Sequence, residues 1–293
     1  MKVSRRWLLA PALLVLPLLL VVANEYATAR PSRRTPNVAY VPATDPAFDA
    51  ERHVLDVYAP RKKVAALYPV VVFIHGGSWN SGNKNFYSFI GRRLAKQGVV
   101  AVVLNYRLAP KVEVPAMADD CARAVVWTTQ HIREYGGDPQ RLFLMGHSAG
   151  GGLAALLTTN NRLFERHGLA QNPIQGALLD DPAGLDMLDY LTKLEYPHDA
   201  QYLIPYGRQP EVWKDVSALY HVTAATPPFS IFIGGETYPS IRNSSRKFQQ
   251  KIVALGHSPQ FVVLPGKKHA PMVLQLYWKN NIIYQELLKM IGQ

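Results

Sequence analysis

Arg141-Leu142-Phe143-Leu144-Met145-Gly146-His147-Ser148-Ala149-Gly150-Gly151-Gly152-Leu153-Ala154-Ala155-Leu156-Leu157 decides the fold. An apolar run of strand character enters a five-residue G-x-S-x-G turn and leaves as a helix. A serine at so sharp a strand-to-helix turn sits in a strained backbone conformation. The glycines two residues away on each side pack against one another, where larger side chains would clash. The hydroxyl of Ser148 is thereby held proud of a sheet, beside the positive end of a helix. G-x-S-x-G also arises as an ordinary glycine-rich turn with serine as a helix N-cap. The rest of the chain decides between the two readings.

Upstream, Tyr68-Pro69-Val70-Val71-Val72-Phe73-Ile74 is a β-branched run suited to a buried strand, and it ends in His75-Gly76-Gly77-Ser78-Trp79. Glycines let backbone N–H groups approach a reacting carbonyl closely. The predicted oxyanion donors are Gly76, Gly77 and Ala149, the residue after the nucleophile. His75 is expected to brace this loop. Downstream, Gln260-Phe261-Val262-Val263-Leu264 reads as the last strand, and His269 follows it after Pro265-Gly266-Lys267-Lys268. A histidine there can reach back to a serine at the carboxyl edge of the sheet and act as its base. His147 lies inside the elbow and is not expected to serve as a base. For the acid, Phe229-Ser230-Ile231-Phe232-Ile233 reads as the penultimate strand, and the chain order Ser, acid, His points to Glu236 just beyond it. Asp180, Asp181 and Asp186, past the strand Gly176-Ala177-Leu178-Leu179, are the rivals, with Asp186 ranked second.

These residues carry a resemblance. The stretches His75–Trp79, Asn105-Tyr106-Arg107-Leu108-Ala109-Pro110, Tyr135-Gly136-Gly137-Asp138-Pro139, Gly146–Gly151 and Pro265–His269 resemble those of α/β-hydrolase-fold esterases of the hormone-sensitive-lipase and acetyl-xylan/feruloyl-esterase kind. Prenylcysteine methylesterases and kynurenine formamidases are similar in the same stretches. The likeness runs from about Val54 to the C-terminus. It implies an α/β-hydrolase fold and cofactor-free hydrolysis of esters or amides. Many relatives carry aspartate where Glu236 stands. The third loop glycine of the lipase-like branch is Ser78 here, nearer the methylesterase and formamidase pattern.

At 293 residues, 48% hydrophobic and 18% charged, the chain is long enough for one large α/β domain. Strands alternating with helices imply a mostly parallel central sheet flanked by helices. The stretch 182–226 breaks that alternation and holds Tyr190, Tyr196, Tyr202, Tyr206, Trp213 and Tyr220. It reads as an inserted helical lid. Residues 30–52 read as a linker and an irregular or edge-strand entry.

Lys2, Arg5 and Arg6 precede an apolar run from Trp7 to Ala23, and Ala27-Thr28-Ala29 suits signal peptidase. Residues 1–29 are therefore expected to be a signal peptide, leaving 30–293 as an exported hydrolase domain in the periplasm or outside the cell. An uncleaved membrane anchor is the alternative. The single cysteine, Cys121, excludes an internal disulfide. The net charge of +11 is compatible with weak association with anionic envelope or polysaccharide surfaces, but the basic residues are scattered and no nucleic-acid motif occurs. No dinucleotide fingerprint, phosphate loop or metal-ligand spacing is present, so no cofactor and no metal are expected.

The reading is a serine carboxylesterase acting on a small or medium ester, a small-molecule substrate, through an acyl-serine. The alternatives are an amidase or formamidase with the same triad, and a hydrolase-fold binding protein without turnover.

Overall fold

The computed structural model describes residues 32–61 and 66–292. The expected signal segment lies outside the described residues. In chain order the main elements are β1 (Ser32–Ala39), β2 (Val54–Pro60), β3 (Tyr68–Ile74), α1 (Ser88–Lys96), β4 (Val100–Leu104), α2 (Val114–His131), β5 (Gly137–His147), α3 (Ala149–Thr159) and α4 (Arg162–Glu165). They continue with β6 (Ile174–Asp180), α5 (Met187–Lys193), α6 (Leu203–Tyr206), α7 (Pro210–Asp215), β7 (Phe229–Gly234), α8 (Pro239–Ala254), β8 (Gln260–Leu264), α9 (His269–Leu274) and α10 (Ile282–Met290).

The eight strands form one sheet in the order β1-β2-β4-β3-β5-β6-β7-β8. β1 and β2 pair antiparallel, as do β2 and β4, and the other five pairings are parallel. β3, β4 and β5 are apolar without alternation because helices cover both faces of the sheet, so every side chain of their inner parts is buried. Residues 32–39, expected to be irregular or an edge strand, are the antiparallel edge strand. Its exposed positions include Arg33, Arg34, Pro36 and Asn37, and charged residues and proline suit a strand with one free side.

One layer packs Leu144, Ala177 and Ile231 of the sheet against α2, α3 and α8. The α2 residues Val114, Met117, Ala118, Cys121, Ala122 and Val125 repeat at three- and four-residue intervals, so one continuous stripe is buried. Pro115 in its first turn sets the start without losing a needed N–H. The opposite layer packs Met145, Leu178 and Phe232 against α1, α9 and α10. Because successive strand residues alternate between the layers, adjacent residues at a strand end point to opposite sides.

The stretch 182–226 does interrupt the alternation, with α5, α6, α7 and short 3₁₀ turns. Trp79 anchors it to the body. Its ring meets Tyr206 edge-on at 4.9 Å and Tyr202 edge-on at 5.8 Å. Among the described residues no helix is long and apolar enough to cross a membrane.

Candidate active site

β5 delivers Ser148 to the carboxyl edge of the sheet with φ 55° and ψ −124°. For a residue with a Cβ this conformation costs about 1–3 kcal/mol and persists only where surrounding contacts fix it. Here the Ser148 N–H donates to the Asp180 carbonyl at 3.1 Å, and the Ser148 carbonyl accepts from Gly152 and Ala183. A β-carbon on Gly146 would lie 2.3 Å from the Gly150 carbonyl oxygen, which is the reason for glycine at the first motif position.

His269 opens α9, and its ring bridges two partners. Nε2 lies 2.8 Å from Ser148 Oγ, and Nδ1 lies 2.5 Å from Asp181 Oδ2. An ionised carboxylate only accepts, so Nδ1 carries the hydrogen and Nε2 presents its lone pair to the serine hydroxyl.

Asp181 thus holds the position expected for Glu236, and this corrects the expected acid. The Asp181 side chain is fully buried. Its Oδ1 accepts from the Gly234 N–H at 2.8 Å, and its Oδ2 also accepts from the Thr237 hydroxyl. Glu236 is exposed, and its N–H is taken by the Lys267 carbonyl at 2.9 Å. The turn after β7 therefore aims Glu236 at water and its neighbour Thr237 inward. Asp186, the second choice, caps α5 by accepting from the Asp189 N–H at 3.2 Å, and it also accepts from the Tyr220 hydroxyl and Lys247.

Asp180, next to Asp181, faces the opposite layer. Both its carboxyl oxygens are buried without a hydrogen-bond partner. Burial, and then the charge of Asp181, push its pKa well above the usual carboxylate range.

The three expected oxyanion residues gather at the nucleophile. A β-carbon on Gly76 would stand 2.9 Å from the His147 carbonyl oxygen and 3.1 Å from Ser148 Cβ, so only a bare backbone fits there. Gly77 turns the chain with φ 126°, and its carbonyl accepts from the Asn80 and Ser81 N–H groups. Ala149 begins α3, where the helix itself offers its N–H no acceptor. His75 braces the loop as expected. Its Nδ1 lies 2.8 Å from the Gly76 carbonyl, its ring stacks on Tyr106 at 4.5 Å, and its own carbonyl accepts from the Tyr106 hydroxyl. Burial lowers the His75 pKa to about 4, so the brace is uncharged at neutral pH. Arg107, from the Asn105–Pro110 stretch, is held by both oxygens of buried Asp120.

Ser148 and His269 open into a cavity of about 690 Å³ between the 182–226 insertion and α8. One wall is aromatic, with Trp79, Tyr190, Tyr196 and Tyr202. The other is the polar face of α8, with Ser240, Asn243, Ser244, Arg246 and Gln250. Among the described residues no cluster of three or more histidine, cysteine or carboxylate side chains could hold a metal ion.

A serine, imidazole and carboxylate in one hydrogen-bonded line, beside a glycine loop and a helix N-terminus, is a geometry for nucleophilic acyl transfer. The chain matches the model of the BD-FAE family over residues 55–252. It belongs to the BD-FAE family. Among curated proteins it is 29% identical to an Arabidopsis thaliana isoprenylcysteine alpha-carbonyl methylesterase over 90% of this chain and 62% of that one. It is 28% identical to the kynurenine formamidase of Danio rerio over 85% of this chain and 81% of that one. The chain spans only 50%, 62% and 56% of the lengths of the first plant methylesterases it matches. Among solved structures, esterase B from Lactobacillus Rhamnosis superposes with a TM-score of 0.74 at 22% identity, over 96% of this chain and 93% of that one. A truncated carbohydrate esterase from gut microbiota does so with a TM-score of 0.73 at 20% identity, over 89% and 95%. These likenesses establish the α/β-hydrolase fold in this member of the family.

Two features escaped the sequence reading. Thr237 carries no motif. The acid left only a partial mark, the pair Asp180-Asp181 closing a buried strand: Asp180 is the last strand residue, and Asp181, just past it with φ 49°, is the one that reaches His269.

Proposed function

We propose that this protein is a serine carboxylesterase whose triad is Ser148, His269 and Asp181. The observation that carries the reading is the unbroken relay from Ser148 Oγ through His269 to buried Asp181, at 2.8 and 2.5 Å, at the mouth of the cavity. His269 takes the hydroxyl proton as Ser148 Oγ attacks the ester carbonyl. Asp181 keeps the imidazole in the required tautomer and stabilises the imidazolium that forms. The N–H groups of Gly77 and Ala149, with Gly76, receive the developing oxyanion. His269 then protonates the leaving alcohol, and water, deprotonated by the same ring, releases the acid. Removing one oxyanion donor from such a site costs on the order of a hundredfold or more in rate.

The cavity supports an extended ester over a compact one. The α8 residues that line it run from Pro239 to Gln250, which at 1.5 Å per residue is about 16 Å of wall. A ring on the acyl or alcohol side would lie against Tyr190, Tyr196 and Tyr202, while hydroxyl or amide groups would face α8. Export by the N-terminal apolar segment is part of the proposal.

Likeness to the Danio rerio formamidase over most of that enzyme favours one second reading, cleavage of an N-formyl amide by the same triad. The test compares the protein with Ser148→Ala on p-nitrophenyl esters of increasing acyl length, with N-formyl-kynurenine in parallel. Serine-dependent ester cleavage is expected. Cleavage of the formamide alone would transfer the assignment to the second reading. No cleavage of either by folded protein would overturn both and leave a binding role.

A further inference from the structure

The triad holds His269 at both nitrogens, and this leaves the plane of the ring to be fixed by something else. His147, the residue between Gly146 and the nucleophile, lies against one face of it. The ring centroids are 4.8 Å apart and the planes 29° from parallel. His147 Nε2 lies 3.4 Å from the His269 carbonyl oxygen, so the same side chain reaches both the ring and the backbone of its neighbour. The imidazole also meets Tyr238 at 5.2 Å in a tilted contact, and Tyr238 is 61% exposed. The two contacts differ in kind, because His147 is buried and fixed by the elbow whereas Tyr238 borders the cavity.

The protonation of His147 follows from its surroundings. A ring nitrogen facing a carbonyl carries the hydrogen, so Nδ1 is bare, and it is buried without a partner. Burial, and then the proximity of His269, lower the pKa of His147 to about 3. Asp180 stands opposite His147 in the strand register and by alternation faces the same layer. Burial and the charge of Asp181 raise the Asp180 pKa, which disfavours a charge behind the ring. Of the other titratable groups, Asp181 acts on the His147 ring in the opposite sense to His269, and Tyr87 and Tyr284 lie near Asp180. An uncharged ring suits this place, because a cation stacked on His269 would oppose the imidazolium that proton transfer creates.

We infer that His147 is a positioning residue, a neutral aromatic backstop that fixes the plane of His269 between Ser148 and Asp181. The inference rests on the triad proposed above. At 3.4 Å the bond to the carbonyl is long, so the flat face carries most of the effect. His147→Ala removes both contacts. His147→Phe restores the face without the donor. His147→Leu fills the volume without either, and keeps the test open where the alanine variant is too unstable to purify.

The experiment measures kcat and KM for p-nitrophenyl acetate with these variants, each corrected to active sites counted by a p-nitrophenyl phosphonate that labels serine. His147→Ala and His147→Leu are expected to lower kcat per site by about tenfold to a hundredfold with KM within about twofold, and His147→Phe to recover most of the loss. Unchanged kcat per site in the leucine or alanine variant, with only a lower Tm, would reduce His147 to packing and overturn the inference. A phenylalanine variant as slow as the alanine one would overturn the stacking role. Failure of the triad reading looks different, since the unsubstituted protein would then take up no phosphonate at Ser148.

Discussion

The Gly234 N–H donates to Asp181 Oδ1 at 2.8 Å, so a carboxylate at the end of β6 is anchored by the end of β7. The Thr237 hydroxyl, three residues further on, donates to the other oxygen, the one that faces His269. The loop after β7 therefore supplies the clamp for the acid and not the acid itself. Replacement of the acid is the sharpest consequence. Asp181→Asn keeps the shape, but its amide favours the wrong imidazole tautomer, and kcat on a p-nitrophenyl ester is expected to fall by about ten-thousandfold. Glu236→Gln and Asp186→Asn should each stay within about threefold. Steady-state kinetics of the three variants decide the assignment, and a severe loss in Glu236→Gln with mild loss in Asp181→Asn would reverse it.

The clamp gives a second, graded expectation. Thr237→Val keeps the shape but removes one hydrogen bond to a fully buried carboxylate, and bonds to charged groups contribute about 1.5–3 kcal/mol each. The Gly234 N–H remains, so Asp181 stays held at one oxygen. A fall of about tenfold in kcat is expected, with Thr237→Ser close to the unsubstituted protein. Equal activity of the valine and serine variants would show that the Gly234 contact alone suffices.

Why the acid was hard to read, while the nucleophile and base were not, has a physical cause. Ser148 and His269 are tied to local constraints, a glycine-bounded turn and the loop after the last strand, and both leave marks within a few residues. The buried parallel strands show equally well as unbroken apolar runs such as Val100–Leu104. Asp181 depends instead on how the chain leaves β6: Asp180 is the last residue in register with β5 and β7, and Asp181 turns out of the strand with φ 49°. Glu236 had the right chain order, yet a single backbone bond to Lys267 turns it outward. The edge strand β1 was partly hidden for a related reason, because Arg33, Arg34 and Pro36 leave it without an apolar pattern.

Gly76 tests the approach to the nucleophile. Its missing β-carbon would lie 3.1 Å from Ser148 Cβ and 2.9 Å from the His147 carbonyl, backbone that α3 and β5 hold in place. Gly76→Ala must push the oxyanion loop away from Ser148, and since a displacement of about 1 Å can cost on the order of a hundredfold, a loss of that size in kcat is expected. Phosphonate labelling of Ser148 should slow in parallel. Wild-type labelling with lost turnover would place the damage in substrate binding and not at the oxyanion.

Acid stability should carry the mark of the buried groups behind the site. His75 and His147 have folded-state pKa values of about 4 and about 3 against an ordinary 6.5. Between those values and 6.5 the unfolded chain binds protons that the folded chain refuses, so both histidines make stability fall as pH drops through this range. Asp180 acts in the opposite sense, because its raised pKa means that the folded chain keeps a proton which the unfolded chain loses above about 3.8. Its contribution is present at low pH and is lost as pH rises. Each group can exchange at most one proton, so the two histidines outweigh the one aspartate and stability should fall as pH drops from about 6.5 toward 4. Asp180→Asn removes the opposing contribution without adding charge. The variant is expected to match the unsubstituted protein near pH 4 and to exceed its Tm at pH 8. Thermal melts at the two pH values check it, and an unchanged or lower Tm at pH 8 would mean that Asp180 bears its charge in the folded protein without penalty.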